Sequence, residues 1–258
     1  MPRRQSSLAF FVLTFSLAVP FWVLGGVIGI QLLPGLPVAA LTFVCPGLAA
    51  LILVGRKNGS AGAKTLLARA FDYKRIKAKN WYTLILLLNP GIFVLSYVVL
   101  RLLGTPVPVP QIHILPTLTL CVVFFVGAVG EELGWSGYAI DPMQKRWGSL
   151  QASLLLGAVW AVMHFVPLAQ VHRSLGWIAW WSLWTVSARV IMVWLYNNSG
   201  KSVFGAVLFH AASNVCWQTF PIHGSFFDPR VTGLIAAFVA VVMIALWRPR
   251  DLGGLMKT

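Results

Sequence analysis

Two glutamates stand side by side at positions 131 and 132, inside the apolar stretch GAVGEELGWSGYA (127–139), and the chain has no others. An ionised carboxylate is costly in hydrocarbon, so acidic residues in an apolar run mark a candidate functional site. Few other ionisable side chains lie within apolar runs: His164, Arg189 and His210. Asn214 follows His210 by four residues and Trp160 precedes His164 by four, so each pair shares a helix face. Together they offer a carboxylate as general base and a histidine to share the water it activates. A second histidine and an amide could stabilise an oxyanion. Those parts suit hydrolysis of an amide by an activated water. Singly, each also fits another role. An intramembrane His or Asn is often a helix–helix hydrogen-bond partner. Paired carboxylates can relay protons in a transporter. Two His and a Glu can hold a divalent metal such as zinc, although HExxH spacing is missing. Composition and periodicity leave these alternatives open.

The elements that must position these residues follow from composition. Of 258 residues, 58% are hydrophobic and only 10% charged, and the mean hydropathy is +0.80. A soluble domain carries about 25% charged residues, so this chain cannot cover a soluble surface. It reads as an all-α polytopic membrane protein, one integral membrane domain over 1–258 with its chemical core at about 114–220. Eight segments approach spanning length: 8–32, 37–54, 81–104, 114–139, 149–169, 175–197, 202–220 and 231–247. The first apolar run is too long for a signal-peptide core, so it reads as a retained span. No C-terminal Caax sequence and no separate soluble domain are expected.

The net charge of +14 does not point to nucleic acid, because Lys and Arg cluster between apolar runs with no basic, aromatic-interleaved stripe. With the N-terminus cytoplasmic, 16 of the 20 basic residues fall on the inner side and only Arg101, Arg173 and Arg230 on the outer. That bias predicts a cell-membrane protein with eight spans and both termini cytoplasmic. In the internal loop, Leu66, Leu67, Ala70 and Phe71 share a helical face amid Lys64, Arg69, Lys74 and Arg75. The pattern fits a short interfacial helix on an anionic leaflet and equally a solvated topogenic cluster. Cys45, Cys121 and Cys216 read as small core residues.

The run EELGWSGYAIDPMQKRWGSLQASLLLGAVWAVMH, followed by WLYNNSGKSVFGAVLFHAASN, resembles the bacterial branch of the CAAX prenyl protease 2 family, also called CPBP intramembrane proteases. The family's blocks are EExxxR, an aromatic-xxx-His block, and HxxxN. They stand here as Glu131-Glu132 with Ser136 in the arginine's place, Trp160-xxx-His164, and His210-xxx-Asn214, over about residues 127–215. The resemblance implies an eight-helix bundle with a cavity reached from the cytoplasm. It implies Glu131 as the water-activating base assisted by His164, His210 and Asn214 as the oxyanion site, and Glu132 as structural or water-orienting. It implies no cofactor, a peptide or membrane-protein substrate, and the lipid bilayer as surroundings. Adjacent helical residues diverge by about 100°, so the two glutamates cannot play one role.

Three functions follow as alternatives: a glutamate intramembrane endopeptidase, a degenerate relative acting as a bacteriocin-immunity, abortive-infection or scaffold protein, and a small proton-coupled transporter. Ser136 separates the first two. A family arginine at 136 would lie one turn from Glu132, within reach of its carboxylate. Arg189, midway along the sixth span, either snorkels and bonds backbone carbonyls or reaches the glutamates and takes over part of the missing arginine's role.

Overall fold

The structure is a computed structural model that describes residues 7–224 and 226–247. The basic residues Arg3, Arg4, Arg248, Arg250 and Lys257, on which part of the expected orientation rests, lie outside the described residues.

Helix α1 spans Ser7–Ile28. A short hairpin follows, β1 Gln31–Leu33 and β2 Leu36–Pro37, then a 3-10 turn at Val38–Phe43. The remaining helices are α2 Val44–Ala68, α3 Asn80–Leu102, α4 Ile114–Gly134, α5 Ile140–Met163, α6 Phe165–Gln170, α7 Leu175–Asn198, α8 Val203–Thr219 and α9 Pro229–Trp247. Five helical stretches among the described residues are long and apolar enough to cross a membrane: Ser7–Ile28, Val38–Phe71, Asn80–Leu102, Ile114–Gln170 and Leu175–Asn198. Pro229–Ala245 is a shorter apolar helix. The protein is an all-α, multi-pass membrane protein. Its outward faces say the same. Leu8, Val12, Val19, Val23 and Val27 line one side of α1, and Leu115, Leu118, Val122 and Val126 one side of α4, all exposed. Apolar faces of this extent are covered by lipid.

Several boundaries differ from the sequence reading. The first span ends at Ile28, where Gly29 at φ +67° turns the chain into the hairpin. The second starts as a 3-10 turn, and α2 continues past the expected 54 to Ala68, broken at Gly59 with φ 65°. The fourth runs on from Gly134 through a π segment at Trp135–Ala139 into α5, and Gly148 (φ 78°) divides α5 where the fifth span begins. The fifth span closes early. Pro167 has no N–H for the Met163 carbonyl, so α5 ends at Met163 and the chain restarts as α6. His164 therefore caps a helix end and is not mid-span.

The loop face also splits. Leu66 and Ala70 are buried, whereas Leu67 and Phe71 are exposed, because residues four apart share a direction and neighbours do not. Cys45 is buried as expected, but Cys121 faces outward.

Close backbone approach seats the centre of the bundle. A Cβ on Gly134 would lie 2.5 Å from the Pro46 carbonyl, and one on Gly130 would lie 2.9 Å from the Phe43 oxygen. This small-xxx-small pair lets α4 meet the start of α2 backbone to backbone, and the glutamates sit between the two glycines. Asp72 fixes the start of α8, accepting from Ser202 Oγ at 2.7 Å and Phe204 N at 3.1 Å. Negative charge at a helix N-terminus is favourable, and it sets the register that carries His210.

Candidate active site

Glu131 and Glu132 point to different partners, as their 100° separation requires. Glu132 is wholly buried and faces Arg189, itself wholly buried. The guanidinium grips it as a fork, Nη1 to Oε2 at 2.8 Å and Nη2 to Oε1 at 2.9 Å. Ser136 Oγ also donates to Glu132 Oε2, from the π segment that directly follows α4. His210 Nδ1 lies 3.0 Å from Oε1. Arg189 thus reaches the carboxylate that a motif arginine at 136 would have served, and the serine adds a hydroxyl where that arginine would stand. The snorkelling alternative is excluded by the arginine's full burial.

Glu131 is differently held. Its Oε2 accepts from the indole N–H of Trp160 at 2.6 Å and from that of Trp135 at 3.2 Å. Its Oε1 has no hydrogen-bond partner among the described residues and faces His210 Nε2 at 3.8 Å. Trp160 also lies against the arginine, whose Cζ is 4.3 Å from the ring centroid. One indole therefore touches both carboxylate systems, by its edge and by its face.

The histidines are oriented by their Nδ1 atoms. His164 Nδ1 is 2.9 Å from the Trp160 carbonyl, and His210 Nδ1 faces the arginine-paired Glu132. Both partners accept, so both rings carry a proton on Nδ1 and leave Nε2 for chemistry. The His164 ring lies 5.9 Å from Trp160 and the His210 ring 5.0 Å from it, centroid to centroid. His164 also packs on Trp181 at 5.0 Å. Asn214 is partly buried one turn beyond His210 on α8, and its amide makes no hydrogen bond among the described residues. The structure thus brings Glu131, Glu132, His210, Trp160 and Arg189 into direct contact, puts His164 against the same indole, and leaves Asn214 one turn away without a partner among the described residues.

Two residues escaped the sequence reading. Trp135 stands four residues after Glu131, a spacing that could have revealed it. Asn89 on α3 donates to the Phe209 carbonyl at 2.9 Å, tying α3 to α8 beside His210; its signal was an amide inside the apolar run LLLNPGIF.

Arg189 occupies both oxygens of Glu132 and two indoles share one oxygen of Glu131. Among the described residues no three His, Cys, Asp or Glu side chains group as metal ligands would.

Comparison with known proteins points one way. Residues 113–216 match a family model described as Type II CAAX prenyl endopeptidase Rce1-like. The chain resembles the CAAX prenyl proteases. A CAAX prenyl protease 2 from Methanococcus maripaludis is 27% identical over 233 residues, covering 80% of this chain and 82% of that protein. The segment similar to the prenyl endopeptidases contains Glu131, Glu132, Trp160, His164, Arg189, His210 and Asn214, together with all the contacts described among them.

Proposed function

We propose that the protein is an intramembrane endopeptidase that cleaves peptide bonds with a glutamate-activated water. The observation that carries this reading is the free Oε1 of Glu131, set 3.8 Å from His210 Nε2, while its Oε2 is held by two indole N–H groups. That separation is too long for a direct bond and suits a bridging water. In the proposed reaction the water oxygen attacks the scissile carbonyl carbon while one water proton passes to Glu131 Oε1. His164, through its Nε2, shares the water. The resulting oxyanion receives hydrogen bonds from His210 and Asn214. The proton on Glu131 then passes to the leaving nitrogen as the C–N bond breaks.

The oxyanion role sets the charge of His210. Its Nδ1 proton is committed to Glu132, so Nε2 donates only when the ring carries both protons. Glu131, Glu132, Arg189 and that imidazolium then form a charge-balanced quartet, which eases the cost of burying ions. Arg189 holds Glu132 in place of the motif arginine, which favours a competent site over a degenerate one.

The protein is read as crossing the cell membrane eight times with both termini cytoplasmic. In support, the basic loops meet at one end of the bundle. Arg69 donates to the Lys201 carbonyl at 2.6 Å and Lys201 Nζ reaches Asp141 at 2.9 Å. At the opposite end Gln111 N bonds the Pro221 carbonyl. The substrate is a peptide or membrane-protein segment, and the similarity to CAAX prenyl protease 2 makes a prenylated C-terminal peptide the first probe.

The test uses purified protein in liposomes and a fluorescence-quenched peptide ending in a CaaX tetrad, with and without a farnesyl group. Cleavage is expected from the wild type and not from Glu131→Ala or His164→Ala, and chelators are expected to leave the rate unchanged. Cleavage that survives Glu131→Ala, or chelator inhibition reversed by zinc, would overturn the mechanism.

A further inference from the structure

We propose that Trp160 and Trp135 are positioning residues that decide which oxygen of Glu131 does the chemistry. This rests on reading Glu131 as the base. A carboxylate has two equivalent oxygens, and an untethered side chain presents either one. Here the symmetry is broken. Both indole N–H groups converge on Oε2, at 2.6 and 3.2 Å, and no described group donates to Oε1. Indole N–H is a donor only, so neither tryptophan competes with Oε1 for a water proton. The tethers come from two directions. Trp135 lies one turn along from Glu131, and Trp160 comes from α5, so rotation about the glutamate side chain would break at least one bond.

Each tryptophan is itself fixed. Trp135 is fully buried and meets Phe10 edge-on with ring centroids 5.5 Å apart. Trp160 is clamped between the arginine on its face, at 4.3 Å, and the His210 ring at 5.0 Å. The cation on the ring face polarises the indole and sharpens its N–H as a donor. Arg189 consequently acts on both glutamates, on Glu132 by its fork and on Glu131 through Trp160. The tether also leaves Oε1 directed at His210 Nε2, so the water is taken up between base and oxyanion donor. Phenylalanine at 160 would keep an aromatic ring but carry no N–H, so that substitution removes the tether to Glu131.

Two measurements test this. In protein carrying 15N-labelled tryptophan, indole resonances are assigned by single Trp→Phe substitutions. Glu131→Gln is expected to move the Trp160 and Trp135 indole signals upfield, Trp160 more, with the other indoles nearly still. On the farnesylated CaaX peptide, Trp160→Phe is expected to lower kcat about tenfold to a hundredfold, the cost of one hydrogen bond to a charged group. KM should stay within about twofold, and Trp135→Phe should cost less because its bond is longer. Indole signals that ignore Glu131→Gln would overturn the proposal without reference to any substrate. A Trp160→Phe variant with full kcat beside an inactive Glu131→Gln would overturn it while sparing Glu131 as base. Indole shifts beside an active Glu131→Gln would instead sink the base assignment, and this proposal with it.

Discussion

Replacing Arg189 by methionine removes the fork on Glu132 and leaves a buried carboxylate without its cation. Arg189 and Glu132 are each fully buried, and the two bonds of 2.8 and 2.9 Å place the pair among the strong bidentate ones. Breaking a buried pair from one side costs about 3–5 kcal/mol, because the remaining charge is uncompensated. At roughly 2–4 °C per kcal/mol for a chain of this size, the unfolding midpoint should fall by roughly 10 °C. Intrinsic tryptophan fluorescence on heating reads this directly, since twelve tryptophans are distributed through the chain. The double variant Glu132→Gln/Arg189→Met should recover most of the loss, because it removes both charges together. Arg189→Lys should fall between, a point charge being unable to reproduce the fork. Ser136→Arg added to Arg189→Met should restore part of both stability and turnover, since position 136 already contacts Glu132. An Arg189→Met protein that melts within about 2 °C of the wild type would refute the reasoning, as would a double variant no more stable than the single.

Asn214→Ala should lower kcat on the order of a hundredfold or more, the cost of one oxyanion donor, with its melting point nearly unchanged because the amide holds nothing among the described residues; initial rates on the quenched peptide decide. Gly134→Ala should destabilise by about 1–3 kcal/mol, since its Cβ would meet the Pro46 backbone at 2.5 Å; thermal unfolding measures it, and a neutral effect would count against the close α2–α4 approach. Reporter fusions at residue 258 and within the 55–80 loop should both read as cytoplasmic, and a periplasmic signal from either would refute the eight-span orientation.

The membrane class is legible in the sequence because composition alone excludes a water-covered surface. The chemistry-bearing residues are legible for a related reason: in apolar runs each polar side chain stands out. Local spacing goes further, showing that Glu131 and Glu132 must diverge and that position 136 lies within reach of Glu132. Boundaries are less legible. Hydropathy has no signal for the glycine breaks at 59 and 148, nor for a π segment, since all three change backbone path without changing polarity. The face of Leu66, Leu67, Ala70 and Phe71 divides against expectation because amphipathic spacing ranks residues by polarity and does not say which side a neighbouring helix covers.

Only the tertiary structure could decide between the two fates of Arg189. It stands 57 positions from Glu132, and no periodicity links them. The pairing depends on α7 packing against α5 and α8, and on α4 packing against α8, so that the guanidinium reaches the carboxylate over the face of Trp160. The sequence by itself determined that two buried carboxylates needed partners, because their charge is costly in hydrocarbon. Which groups supply them, two indoles for Glu131 and an arginine, a serine and a histidine for Glu132, was decided by helix packing, which acts between residues far apart in the chain.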